Sequence, residues 1–242
     1  VEDASELSYY LPLSYKSPKE QEYIAFLWDA FETNYTHGKF QFAFLAYHML
    51  TMSFVYFNIW QIKQNRLEDF EKGLIGFGKE IEKALMGGSS PFVFSSVNER
   101  SILRLLKLIA CDNGKIGTYA KLVDDRNETA HPNGQIFYST QTALDNKIAE
   151  VLRIVAEIQN HSVAIIECCF REFLLHNHDP ETREYADAAD QIREVLIHAN
   201  YLSQKDVEIC LKFDINTLAN EAEFPNIKAL FDGFVARYSA EE

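Results

Sequence analysis

The residues best placed to do chemistry lie in Arg126-Asn127-Glu128-Thr129-Ala130-His131. Ile116, Tyr119, Val123 and Ala130 recur at helical steps, and Arg126 and Asn127 fall on the same apolar stripe. An unpaired buried guanidinium costs several kcal/mol, so Arg126 must meet a partner, a second subunit or an anionic ligand. His131 lies about 140° around a straight helix from Arg126, which would splay the two side chains apart. Pro132 changes that geometry: the residue before a proline leaves the α region, so His131 sits at the helix end, free to swing toward Arg126. The negative end of the helix dipole favours imidazolium there and keeps the ring able to take and give a proton.

The elements that must hold these groups read as helices throughout. Ser17-Pro18-Lys19-Glu20 combines a capping Ser, a proline at the first helical position and a Glu three after the cap, so a helix starts there and runs to about Tyr35. Phe40 to about Gln64 is apolar on nearly all sides, the mark of a central helix. Leu67, Phe70, Leu74, Phe77, Ile81 and Leu85 predict one amphipathic helix ended by Gly87-Gly88-Ser89-Ser90-Pro91. Ser96-Val97-Asn98-Glu99 predicts a second capping box, opening a helix to Cys111, and Asn113-Gly114 a turn before the motif helix. After Ser139, Leu144 to Cys169 follow the steps of one long helix. Asp179-Pro180-Glu181 and Ser203-Gln204-Lys205-Asp206 predict two more helix starts, and about Ile227 to Tyr238 the last helix. No strand alternation, internal repeat or low-complexity tract appears. The expected class is all-α: an antiparallel helical bundle over residues 1–178, with an acidic helical extension, 179–242, packed on it.

Composition narrows the function classes. The four cysteines, Cys111, Cys168, Cys169 and Cys210, show neither disulfide-framework nor zinc-site spacing, which points to a reducing, cytoplasmic setting. The N-terminal Val-Glu-Asp-Ala-Ser-Glu lacks the basic and apolar regions of a secretory signal. Phe40 to Ile62 carries no Asp, Glu, Lys or Arg over 23 residues, about a bilayer's length. Its scattered Gln41, His48, Thr51, Ser53, Asn58 and Gln61 fit a buried core helix instead, so no membrane partner is expected. Net charge is -13, which repels polyanions, yet residues 100–131 hold six basic against four acidic side chains. Residues 179–242 hold fourteen acidic against six basic.

The Arg126 to His131 hexamer, with its Asn after the Arg and a helix ending at His-Pro, resembles the R-x4-H signature of the HEPN superfamily (higher eukaryote and prokaryote nucleotide-binding domains). The resemblance covers about residues 18–176. It implies a metal-independent endoribonuclease with no cofactor, acting as a homodimer in which both motifs line one cleft, in a toxin-antitoxin or defence setting with an antitoxin or regulatory protein as partner. His131 would then be the general base or acid around the attacking 2′-hydroxyl and the leaving oxygen of RNA. Arg126 would grip the scissile phosphate, and Asn127 would orient the histidine or bond the phosphate. Lys121, Lys115 and Arg104 of the basic segment would contact RNA, most strongly at low salt. Some members carry, two residues past the histidine, a Tyr modified by a partner nucleotidyltransferase; Asn133 stands there, which puts that regulation in doubt.

Two other classes compete. In a non-catalytic scaffold or regulator, Arg126 would form an ion pair with Asp124, Asp125 or Glu128, His131 would cap the helix, and the acidic extension would bind a basic partner. In an HD-type metal phosphohydrolase, His178-Asp179 would join His161 or His131, although Asp179 and the nearby histidines suit helix termini better. His48, alone in the apolar helix, reads as a satisfied core histidine, and the aromatic run Phe40 to Trp60 as core.

Overall fold

Capping and apolar patterning settle most of the architecture. The computed structural model describes residues 2–239, which are mostly helical with no β-strand among them. They form two compact units: residues 2–11 with 17–162, and residues 12–16 with 163–239. The division falls inside one long helix, 16 residues before the boundary expected at 178/179.

The first unit opens with a single turn, α1 (Glu2–Ser5), then α2 (Pro18–Thr36) and α3 (Phe40–Asn65) as an antiparallel hairpin. Ser17 accepts from the Lys19 backbone and Glu20 returns to the Ser17 N–H, forming the expected box. Trp28 and Phe31 meet Tyr47 across the hairpin, with Phe31 5.2 Å from it. α3 is the central helix: 83% of its most apolar 18-residue window is buried inside the protein, so its length and composition serve the core. Of its aromatic run, Phe44, Tyr47, Phe54, Tyr56, Phe57 and Trp60 are buried, whereas Phe42 is exposed.

Two local expectations fail for legible reasons. The helix predicted from Leu67 to Leu85 is two, α4 (Leu67–Gly73) and α5 (Lys79–Gly87), because Gly73, Gly76 and Gly78 interrupt the pattern and Gly76 takes φ +103°, which a side chain disfavours. Lys63 at the end of α3 donates to the Leu85 carbonyl at 2.9 Å and lies over the Trp60 ring, closing the C-terminus of α5. The Ser96 box does not form. Ser96 bonds back to the Val93 carbonyl, and Asn98 caps α6 (Glu99–Leu103), which continues as a 3-10 turn to Ile109. Asn113-Gly114 does not turn the chain either: Asp112 caps α7 (Asn113–Ala130) through the Lys115 N–H at 2.9 Å.

α8 (Gln141–Asn177) is the long helix, and its first part belongs to the first unit. In the second unit its later residues join a core with α9 (Ala188–Gln191), a π-helical turn (Ile192–His198), α10 (Gln204–Leu211) and α11 (Phe224–Tyr238). Phe170 is its aromatic centre, packed on Phe213, Phe231 and Phe234. The expected helix at Asp179-Pro180-Glu181 is a turn closed by Asp179 on the Glu181 N–H; Asp187 caps the next helix instead. α10 starts where expected, and Ser203 and Asp206 close a capping box there. Residues 12–16 belong to this unit through Leu13 N–H to Leu202 and Ser14 to His198.

Candidate Arg/His site

α7 ends where its sequence demands. His131 takes φ −83°, ψ 143°, its N–H donates to the Asn127 carbonyl, and the Asn133 carboxamide donates to the Glu128 carbonyl at 2.9 Å. Gly134 follows in the left-handed region. Gln41 of α3 ties this end to the bundle, donating to the Thr129 carbonyl and accepting from Phe137 N–H, each at 3.0 Å. The backbone that carries the motif is therefore fixed on both sides of His131.

The side chains diverge in their surroundings. Arg126 pairs through Nη2 with Glu99 Oε2 at 2.8 Å, and its side chain is 33% exposed. The same carboxylate oxygen meets His48 Nε2 at 3.0 Å, with His48 2% and Glu99 16% exposed. Burial alone would raise the Glu99 pKa, but His48 and Arg126 hold it below the usual glutamate range. An ionised carboxylate offers only acceptors, so His48 must present Nε2–H to it. His131 is exposed, and its ring makes no hydrogen bond among the described residues. Asn127 is half-buried.

Two of the three carboxylates near Arg126 in sequence are engaged elsewhere, and the third, Glu128, is exposed and forms no ion pair among the described residues. Asp124 takes Arg100, and Asp125 takes Lys147 at 2.8 Å. His48 is the satisfied core histidine that the sequence suggests, and Glu99, the group that satisfies it, is the member that the sequence reading missed. A usable signal existed: His48 is the one imidazole in an uncharged apolar run, and a buried imidazole needs a polar partner. The Ser96-Val97-Asn98-Glu99 pattern hides Glu99, because it offers that carboxylate a local role in a capping box.

The expected RNA contacts separate into two kinds. Lys115 is held by Glu157 at 2.6 Å and by His161 at 2.8 Å, whereas Lys121 and Arg104 are exposed and form no ion pair among the described residues. The metal set of the HD reading does not assemble: among the described residues no three His, Cys, Asp or Glu side chains converge to hold an ion. His161 instead faces Lys115 and the Ile109 carbonyl. The cysteines are free, with Cys111, Cys169 and Cys210 buried and Cys168 half-buried.

No protein-family model, curated protein or solved structure matches the chain.

Proposed function

We propose that the chain is a metal-independent endoribonuclease of HEPN type, cutting RNA through 2′-hydroxyl attack with Arg126, His131 and Asn127 as its reacting groups. The observation that carries this reading is the incomplete pairing of Arg126. One terminal nitrogen meets Glu99, no other ion pair or hydrogen bond engages the side chain among the described residues, and a third of it faces solvent. A guanidinium held in that way keeps donors for a phosphate. His131, exposed with an unengaged ring on the same helix end, supplies the acid–base group, worth ~10²–10⁴ in rate.

Within one chain the two groups have different neighbours, so a common cleft calls for a homodimer in which each copy's Arg126 and His131 face the same RNA. Lys121 and Arg104 are the RNA-contacting cations in this reading, and an antitoxin or other regulatory protein in a reducing cytoplasm is its setting. RNA cleavage is expected to survive chelator and to fall by at least ~10²-fold in His131→Ala and in Arg126→Ala, both variants retaining wild-type circular dichroism. A divalent-metal requirement, or activity within ~3-fold of wild type in either variant, would refute it.

A second reading has its own observation. The Arg126–Glu99 pair also suits a structural role in a non-catalytic scaffold, and the fourteen acidic residues of 179–242 suit a basic partner. Failure of the wild type to cut total cellular RNA, with growth unaffected by its expression, selects this alternative.

A further inference from the structure

We infer that Glu99 is a positioning residue for Arg126, with His48 anchoring its carboxylate; the inference rests on the endoribonuclease reading above. Glu99 opens α6 yet caps nothing. The helix is capped by Asn98, so the Glu99 side chain is free to leave it and enter the space between α3 and α7. There one oxygen, Oε2, bridges His48 Nε2 and Arg126 Nη2.

The order of burial along this chain of groups gives it direction. His48 is 2% exposed, Glu99 16% and Arg126 33%, so the network runs from the core to the surface and ends on the guanidinium. A carboxylate tied to a buried ring is poorly suited to act as a latch that swings away when RNA arrives. It suits holding one edge of the guanidinium plane while the remaining N–H donors face outward. Misplacing a catalytic group by about 1 Å costs up to ~100-fold in rate, which is the scale on which such a support acts.

The test uses the full-length protein on an RNA that the wild type cuts, comparing wild type with Glu99→Gln, Glu99→Asp and Asn98→Ala. Glu99→Gln is expected to lower kcat by ~10–100-fold with KM held within ~3-fold, since phosphate contacts elsewhere carry RNA affinity. Glu99→Asp keeps the charge but retracts it, and is expected to fall between the two. Asn98→Ala removes the cap of the same helix without touching Arg126; a lowered melting temperature with kcat unchanged separates positioning from simple loss of helix stability. Glu99→Gln matching the wild type within ~2-fold, cutting faster than it, or being matched in its loss by Asn98→Ala would overturn the inference while leaving the nuclease reading intact. A wild type that cuts no RNA removes that reading, and the inference with it, before any variant is compared.

Discussion

The two ends of α7 each join a cation, a glutamate and a histidine, in opposite arrangements. Near its start, Lys115 stands between Glu157 and His161, at 2.6 and 2.8 Å. Near its end, Glu99 stands between Arg126 and His48, at 2.8 and 3.0 Å. In the first cluster the cation is central. His161 donates Nδ1–H to the Ile109 carbonyl at 3.1 Å, which leaves Nε2 as an acceptor for the ammonium, so Lys115 is neutralised by one neighbour and hydrogen-bonded by the other. In the second the anion is central and the cation terminal, with donors left over. The two clusters match in their kinds of group; connectivity sets the cation of one between two partners and leaves the cation of the other on a single carboxylate among the described residues.

Substituting the two cations breaks that contrast most sharply. Arg126→Ala is expected to reduce RNA cleavage by ~10²–10³-fold, the usual consequence of losing a donor to developing charge. Lys115→Ala is expected to leave cleavage within ~3-fold of wild type, because the rate follows groups that stabilise the transition state. Comparable losses in both, measured on one RNA at fixed salt, would erase the distinction and return Lys115 to the RNA-contacting set.

The same contrast marks the limit of what the sequence discloses. The α class, the central placement of α3 and the end of α7 follow from local rules: an all-round apolar run, a cap, a proline after His131. Arg126 was legible as a cation needing a partner, because it lies on the stripe of Tyr119 and Val123. Which carboxylate supplied that need was not legible. Asp124, Asp125 and Glu128 are near in sequence, but helix geometry and longer-range pairs commit Asp124 to Arg100 and Asp125 to Lys147. Glu99 comes from 27 residues upstream, and only tertiary packing brings it to Arg126. The Ser96 box misled for a related reason: Asn98 is also a strong cap, and its use frees Glu99 for the site. Likewise the heptad-like run from Leu67 to Leu85 hides a break that three glycines impose.

Stability distinguishes the two histidines. His48→Leu removes a donor from a carboxylate that is 16% exposed and leaves Arg126 as its one partner among the described residues. The expected cost is ~1–3 kcal/mol in urea unfolding, the penalty of a buried polar group losing a hydrogen bond. His161→Leu is expected to shift the midpoint less, since Lys115 keeps Glu157 and about a third of each of those two side chains meets solvent. A His161 variant destabilised more than the His48 variant would reverse the assignment of which cluster is anchored in the core.

Acid titration gives the smallest effect and the finest discrimination. Glu99 and Glu157 are both held below the ordinary glutamate range, Glu99 by His48 and Arg126 against its burial, Glu157 chiefly by Lys115. A carboxylate whose folded pKa is depressed contributes stability above its unfolded pKa of about 4.3, and that contribution is lost as pH falls through the folded value. The stability difference between wild type and Glu99→Gln is therefore expected to be full at neutral pH, to shrink below about pH 4.3 and to disappear at stronger acid. Glu157→Gln should show the same sign with a smaller amplitude that fades in high salt, because exposed pairs are screened and largely buried ones much less so. If the Glu99→Gln difference also collapses on adding salt at pH 7, the central carboxylate is solvated like its counterpart, and the two ends of α7 differ only in which residue occupies the middle.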